Sequence, residues 1–597
     1  MHPTATTSDD LPFRRADFAS LPEALDYAAR GRAGLNFYSA RGELIAALPY
    51  AELRERAVAV ARGLVRAGLP RGARFLLIAE TDPDFAILFA ACHYAGVLAV
   101  PVALPTTLGG RDAYVAGLRR QLAGCGAAAA AAPAELLPFL REAAAGLDIG
   151  LVGAPGDFYA LPGSGVDPRP FGGDDPGYLQ YSSGSTRFPL GVDIPQRALA
   201  SNCRTIVQSG LDARSGDRCV SWLPLYHDMG LVGFMLTPMF AQLSIDYLAT
   251  RDFARRPLVW LSLITRNGGT LSYSPSFGYD LCARRAESGG AGTELDLRRW
   301  RAAGIGGDMI QPGVLRRFAE RFAPFGFRAE AFVPSYGMAE TTLAISFAPP
   351  GEGARVDVID RQRLAADGVA APVSAAEGGA ARAFVFCGRP LPGHDIEVRD
   401  ADGHVLPDRR LGRLFVKGPS VMAGYFGEPE ATARVLGADG WLDTGDLGYT
   451  VEGAVVVTGR SKDLIIVNGR NIWPQDLEWA VEELPGLRRG DAAAFSVEDP
   501  EGAERVVVLV QCRLGDRQAR AALARDAAAV LRRAAAVECE VVAVPPHGLP
   551  QTSSGKLSRS RAKDNYLRGV YAAAGDLESA PKHRAAVALS AAAPPGE

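Results

Sequence analysis

The strongest local signal for chemistry is the run Tyr181-Ser182-Ser183-Gly184-Ser185-Thr186-Arg187-Phe188-Pro189-Leu190-Gly191-Val192. Small hydroxyl residues and glycine let backbone N–H groups approach a phosphate closely, while the hydroxyls donate further bonds. Alone, such a cluster is more often a polar surface loop. It is not a Walker A loop, because Gly-Lys-Ser/Thr is absent, and Gly555-Lys556 lacks the glycine spacing and runs into Leu557. The dipeptide His227-Asp228 suggests a His–Asp pair, but sequence neighbours seldom face each other on a helix. With no G-x-S-x-G elbow beside it, a serine hydrolase is set aside. Eight scattered cysteines without CxxC and seven histidines without HExxH give no metal-ligand spacing. Reduced thiols in a cytoplasmic protein fit that pattern.

The loop gains meaning from four segments further along the chain. Ser335-Tyr336-Gly337-Met338-Ala339-Glu340, Trp441-Leu442-Asp443-Thr444-Gly445-Asp446, Gly459-Arg460-Ser461-Lys462-Asp463 and Gln551-Thr552-Ser553-Ser554-Gly555-Lys556 occur in that order. Together with the loop they resemble the signature set of the adenylate-forming enzymes: acyl-CoA synthetases, non-ribosomal adenylation domains and luciferases. The resemblance runs from about Pro22 to Tyr571.

It implies ATP and Mg²⁺ as cofactors and a role for each matching residue. Ser182, Ser183, Gly184, Ser185 and Thr186 would cradle the β- and γ-phosphates. Tyr336, flanked by Ser335, Gly337 and Met338, would stack on adenine. Glu340 would hold Mg²⁺ together with Thr186, Asp446 would accept from the ribose hydroxyls, and Arg460 would support ribose and phosphate. Lys556 would bridge the substrate carboxylate and the α-phosphate; with Glu340 and Arg460 it forms the catalytic set. A diol suits a carboxylate acceptor, Mg²⁺ suits hard oxygens, and a compact ammonium suits the space between two anions. Gly306-Gly307-Asp308 stands where relatives carry Gly-Ala-Glu or Asn-Gly-Glu, so Gly307 and Asp308 are assigned to the nucleotide less firmly than Tyr336.

Three details resemble the fatty acyl-AMP ligase branch. Leu190 replaces the basic residue usual in the phosphate loop. Leu223-Pro224-Leu225-Tyr226-His227-Asp228-Met229-Gly230 and Ser274-Pro275-Ser276-Phe277-Gly278-Tyr279-Asp280 look like its acyl-site motifs. Residues 349–382 fall where that branch carries an insertion associated with restricted motion of the small domain and poor use of CoA; the alternative is a variable Gly/Ala-rich surface loop. His227, Asp228 and Met229 are therefore placed in the acyl pocket, while Met235, Phe277 and Tyr279 lie in apolar stretches that line either an acyl tunnel or the core.

The activity implied is ATP-dependent activation of a medium- to long-chain fatty acid to acyl-adenylate and pyrophosphate. Transfer would then occur to the phosphopantetheine of a separate acyl carrier protein or a carrier domain of a polyketide or peptide synthase. Burying ten methylenes would supply ~8 kcal/mol at ~0.8 kcal/mol each. The rivals are a long-chain acyl-CoA synthetase and a nucleotide-binding scaffold without turnover.

Composition agrees with a soluble enzyme. There are 64 basic and 67 acidic residues, 48% hydrophobic and 22% charged, which makes no electrostatic case for nucleic acid or an anionic membrane. Only five of the basic residues are lysine, none before Lys417, so a lysine after Ser-Ser-Gly stands out in an arginine-rich chain. Residues 1–10 lack the regions of a signal peptide. Residues 85–104 approach the ~20 apolar residues of a membrane span, but divide into a buried helix (85–94) and a core strand (97–104).

These residues need a scaffold of α/β class. Residues 53–67 and 84–94 read as helices and 74–80 as a strand, the alternation of a largely parallel sheet flanked by helices. From 383 to 457, strands broken by Asp402-Gly403, Asp439-Gly440 and Glu452-Gly453 read as a β-rich subdomain. The division expected is a large domain over 1–460 (insertion 349–382, β-rich 383–460), a small mobile α+β domain over 461–571, and a disordered tail over 572–597. In the small domain strands fall at 464–467, 506–511 and 541–544 and helices at 474–483 and 517–535. Residues 127–132, six alanines, read as a helix end or loop.

Overall fold

The computed structural model describes residues 4, 6, 11–105, 110–182, 189–290, 294–373, 381–467, 470–498, 504–535, 538–552 and 556–571. Ser183, Gly184, Ser185 and Thr186 of the phosphate loop, residues 374–380 of the insertion, and the 572–597 tail lie outside them. The described chain divides into two compact units, one ending at Lys462 and the other beginning at Asp463.

The first unit is of α/β class. Its seven-stranded sheet runs in the order Gly424–Tyr425, Gly191–Pro195, Pro176–Tyr181, Leu98–Val102, Arg74–Ile78, Ala127–Ala131, Leu151–Gly153. The strands from Pro176–Tyr181 through Leu151–Gly153 pair in parallel. The six-alanine run is thus a buried central strand, not a loop or helix end. Flanked on both sides by parallel neighbours, it needs side chains small enough for the helices on each face, and alanine supplies that without any period of two.

The apolar stretch at 85–104 is a helix and a strand. Asp82 caps the helix Pro83–Ala95 by accepting from the Phe85 N–H at 2.8 Å, and Gly96 ends it in the left-handed region at φ 69°. Every residue from Phe85 to Ala95 is buried, which accounts for a helix apolar all round. Among the described residues no helix is long and apolar enough to cross a membrane.

A nine-stranded sheet is ordered Arg389–Pro390, Ala344–Phe347, Phe332–Gly337, Ala302–Ile305, Leu271–Ser274, Arg218–Ser221, Ser244–Leu248, Gly34–Tyr38, Leu44–Pro49. Its six middle strands pair in parallel, and antiparallel strands close both edges. The β-rich part is a four-stranded antiparallel sheet, Asp395–Arg399, Gly412–Lys417, Leu442–Val451, Ala454–Arg460.

The described residues of 349–382, the segment expected to be an insertion, have regular structure. Val356–Asp360 pairs antiparallel with Ala381–Val385, and Asp360 caps the helix Arg361–Asp367 through the N–H groups of Gln362 and Arg363. Buried Asp357 accepts from the Tyr449 hydroxyl at 2.9 Å and from Arg409 Nη1 at 3.1 Å, tying the segment to the four-stranded sheet.

In the second unit, Glu504–Gln511 pairs antiparallel with Ala492–Glu498 and parallel with Cys539–Val544. Its side chains alternate between two cores: Val506, Val508 and Val510 meet Leu477, Val481, Ala527 and Leu531, while Val507 and Leu509 meet Leu549, Ala562 and Tyr571. Sequence patterning does not reveal the strand Ala492–Glu498, whose alanines carry a weak β signal, or the polar helix Arg559–Leu567.

Candidate active site

The site grows from strand ends of the first unit. Phe332–Gly337 delivers Ser335 and Tyr336, then the chain reverses so that Gly337 lies opposite Ala344. Only glycine fits there, since a Cβ on Gly337 would lie 1.7 Å from the Leu343 carbonyl oxygen. Within the reversal, Thr342 holds φ at 69°, a conformation that costs a β-branched residue about 1–3 kcal/mol. It is held by its hydroxyl, which donates to the Ser420 carbonyl at 2.8 Å. That reversal carries Glu340.

Asp446 and Arg460 face each other because their strands form a ladder, with Asp446 opposite Arg460. Arg460 Nε lies 3.3 Å from Asp446 Oδ1, and the Tyr336 hydroxyl donates to Asp446 Oδ2 at 2.7 Å. Burial, reinforced by the Asp446 charge, holds the Tyr336 phenol well above its usual range. The structure therefore brings Tyr336, Asp446 and Arg460 into direct contact. The hydroxyl of buried Tyr336 is spent on Asp446.

Glu340 is half-buried. Its backbone carbonyl accepts from the Met422 N–H at 2.9 Å, and its carboxylate Oε1 from the Tyr425 hydroxyl at 2.9 Å. Burial pushes its carboxyl above the usual range and the Asp228 charge adds to the rise; Tyr425 and the Arg460 charge oppose it. Glu340, Arg460 and Asp228 thus share one electrostatic neighbourhood. Nothing in the sequence singles out Tyr425, because Gly424-Tyr425 has no spacing that points to Glu340.

The acyl motif corrects the reading of His227. His227 Nδ1 lies 2.6 Å from Asp228 Oδ1, so the two neighbours do face each other. His227 is not helical; it is the extended N-cap of the helix Asp228–Leu231, with ψ 141°, and the Met229 N–H in that first turn donates to Asp228 Oδ1 at 2.7 Å. Gln180, just before the phosphate loop, donates to the Tyr226 carbonyl at 2.8 Å and joins the two motifs. The loop's described flanks converge: Tyr181 pairs with Gly191, and the Ser182 N–H donates to the Leu190 carbonyl at 3.0 Å.

Asp308 spends its carboxylate on the acyl motif, its Oδ1 accepting from the Ser276 N–H at 3.3 Å and hydroxyl at 3.2 Å at the start of the helix Ser276–Arg285. Gly307 beside it is exposed. Met229 and Met235 are buried. Tyr279 is fully enclosed among Trp260, Trp300, Phe318 and Phe332 and donates to the Gly304 carbonyl at 2.8 Å, so its packing is that of a core residue. Phe277 is half-buried, 5.4 Å from Trp222, whose ring stacks on Phe253 at 3.8 Å.

In the second unit, Lys556 is hydrogen-bonded through its backbone to Thr552. The Thr552 N–H donates to the Lys556 carbonyl at 2.7 Å, and the Lys556 N–H to the Thr552 hydroxyl at 3.2 Å.

Residues 43–426 match the AMP-binding enzyme family. A Caulobacter vibrioides protein provisionally named an acyl-CoA synthetase is 52% identical over 95% of this chain and 98% of its own length. The medium-chain-fatty-acid–[acyl-carrier-protein] ligase JamA of Moorena producens is 30% identical over 93% of this chain and 96% of its own. A solved structure from a study of fatty acyl-adenylate ligases from E. coli and L. pneumophila is 45% identical, with a TM-score of 0.89, covering 94% of this chain and 100% of that one.

Proposed function

This chain belongs to the AMP-binding enzyme family and, within it, to the fatty acyl-AMP ligases, and on that footing we propose that it activates a medium- to long-chain fatty acid in the cytoplasm and passes the acyl group to a carrier protein. A carboxylate oxygen of the fatty acid attacks the α-phosphorus of ATP. The new P–O bond forms as the bond to the α,β-bridging oxygen breaks, and pyrophosphate leaves. The phosphopantetheine thiol of a separate carrier protein, or of a carrier domain in a polyketide or peptide synthase, then attacks the acyl carbonyl carbon. It gives up its proton, and AMP leaves.

The observation that carries this reading is the contact of Tyr336 and Arg460 with Asp446, in the neighbourhood shared by Glu340, Arg460 and Asp228. Asp446 is an oriented carboxylate suited to accept from a diol. Ser182, Ser183, Gly184, Ser185 and Thr186 are assigned to the phosphates. Glu340 fits a divalent cation: it is a hard oxygen donor with Oε1 held by Tyr425. With Thr186 it would hold Mg²⁺, which neutralises phosphate charge when bound. Lys556 is assigned to the charge that builds between carboxylate and α-phosphate, brought there by residues 461–571 moving as the small domain. His227, Asp228 and Met229 are assigned to the acyl side.

The acyl-CoA alternative has the name of the Caulobacter relative in its favour. One experiment separates the two: purified enzyme with fatty acids of graded length, Mg-ATP, and either CoA or a holo-carrier protein. Acyl-carrier formation with little acyl-CoA is expected. Efficient acyl-CoA formation overturns the acceptor, and absence of fatty-acid-dependent pyrophosphate exchange overturns the adenylation.

A further inference from the structure

Three residues beyond Lys556, Arg559 opens the helix Arg559–Leu567. Its Nε and Nη2 donate to Glu478 Oε1 at 2.7 Å and Oε2 at 2.6 Å, and its Nη1 donates to Asp463 Oδ2 at 3.0 Å. The three side chains are well withdrawn from solvent, at 18% exposure for Arg559, 5% for Glu478 and 17% for Asp463. Glu478 lies in the helix Pro474–Glu482, and Asp463 is the residue at which the second unit begins.

One carboxylate is enough to neutralise one guanidinium, and Glu478 already engages it through both oxygens in the planar fork that only arginine offers. The third arm, to Asp463, leaves the group with one excess negative charge, an arrangement with little to recommend it as a source of stability. Its geometry does something else. It links the start of the unit to the segment carrying Lys556, whose described ends are hydrogen-bonded to each other. Thr552 and Lys556 are joined by two hydrogen bonds, and the Ser558 N–H donates to the Pro550 carbonyl at 2.9 Å just before Arg559. From Asp463 to the Lys556 backbone every connection is a hydrogen bond or a short span of chain.

We propose that Arg559 is a positioning residue for Lys556: through Asp463 it fixes the Lys556 loop to the point where the chain enters the second unit, so that the ammonium is delivered in one geometry. The inference rests on the adenylation reading and on the role given there to Lys556. Misplacing a reacting group by about 1 Å costs on the order of 10²-fold in rate, so a device that removes such freedom has a measurable effect.

The test uses the full-length enzyme and Asp463→Ala, which removes the acceptor of Arg559 Nη1 but leaves the Arg559–Glu478 fork in place and so spares the fold. Fatty-acid-dependent pyrophosphate exchange, KM for ATP and the thermal midpoint are measured alone and in a Lys556→Ala background. The expected result is a fall in kcat of about 10- to 100-fold with an unchanged KM for ATP and midpoint. In the Lys556→Ala background the same substitution costs nothing further, because its effect runs through the lysine already removed. A full multiplicative loss on top of Lys556→Ala overturns the proposal, as does wild-type exchange in folded Asp463→Ala. If the wild-type enzyme shows no fatty-acid-dependent exchange at all, the adenylation reading fails first and this proposal falls with it.

Discussion

The Tyr425 hydroxyl donates to Glu340 Oε1 at 2.9 Å across 85 residues of sequence. Tyr425 sits on the short strand paired with Val192 and Asp193, in the strand that leaves the phosphate loop, and its own N–H is held by Thr432. One side chain thus connects the carboxylate assigned to the metal with the root of the loop assigned to the phosphates. Tyr425→Phe frees Oε1 without changing shape. A hydrogen bond to a charged group is worth about 1.5–3 kcal/mol, and part of it is regained from solvent here. The Mg²⁺ concentration for half-maximal pyrophosphate exchange should rise about tenfold, with kcat at saturating Mg²⁺ retained. Direct Mn²⁺ titration of the protein with ATP, monitored by electron paramagnetic resonance, should weaken in parallel; unchanged metal affinity removes Tyr425 from this role.

Asp446 is the acceptor shared by Tyr336 and Arg460, and in the proposed function it also meets the ribose. Asp446→Asn keeps the volume and loses the charge. By the same scale of about 1.5–3 kcal/mol for a charged hydrogen bond, affinity for ATP and for AMP should fall roughly 10- to 100-fold. Calorimetric titration with each nucleotide checks it. AMP binding at wild-type strength would place the nucleotide elsewhere.

How much of this was legible depended on range. The Asp446–Arg460 pairing spans a hairpin whose Glu452-Gly453 turn is written in the sequence, so the ladder could be anticipated. The helix at 84–94 was legible in its apolar stretch, and the structure extends it to Pro83–Ala95. Tyr336 and Asp446, 110 residues apart, carry no mutual spacing; only the resemblance to a family joined them. The alanine strand was hidden because alanine favours helix and a strand covered on both faces shows no alternation. His227 and Asp228 were misjudged because the rule about neighbours holds inside a helix, and His227 lies at its cap.

Lys556 tests the use made of lysine scarcity. Lys556→Arg keeps the charge but replaces a compact ammonium with a planar fork. Losing a properly placed donor for developing charge costs about 10²–10³ in rate. Pyrophosphate exchange should fall by that factor while ATP binding persists. Near-normal exchange would reduce the lysine to a compositional accident.

Glu482 gives the second unit a pH dependence. Burial, with the Glu478 charge adding to it, pushes the Glu482 carboxyl up to about 8, against roughly 4.3 in the unfolded chain. The native state therefore holds a proton that the unfolded chain has lost. The stability this group contributes is complete below the unfolded value and is lost as pH rises through about 8. Glu482→Gln is neutral at every pH. Its thermal midpoint should match wild type near the unfolded pKa and exceed it by a few degrees, about 4 °C, under alkaline conditions. A difference that does not change with pH would show that Glu482 ionises freely.

Asp357 anchors the segment 349–373, expected from the sequence to belong to an insertion. It is the acceptor of Tyr449 and Arg409, and Arg409 holds φ at 64°, which other contacts must enforce. Its backbone N–H donates to the Thr450 carbonyl, and its carbonyl accepts from Ala370 of the insertion, both at 2.9 Å. Asp357→Ala leaves the partly exposed Arg409 guanidinium and the buried Tyr449 phenol without their shared carboxylate. Losing the acceptor of a buried polar group costs about 1–3 kcal/mol, felt first by the strand Val356–Asp360 and its partner. Limited proteolysis should cut the variant within residues 349–373 at conditions that leave the wild type whole. If the anchored insertion restricts the small domain, the variant that still makes acyl-adenylate should also release more acyl-CoA when CoA is offered. Faster cleavage with unchanged acyl-CoA release would make the insertion a structural cover with no part in choosing the acceptor.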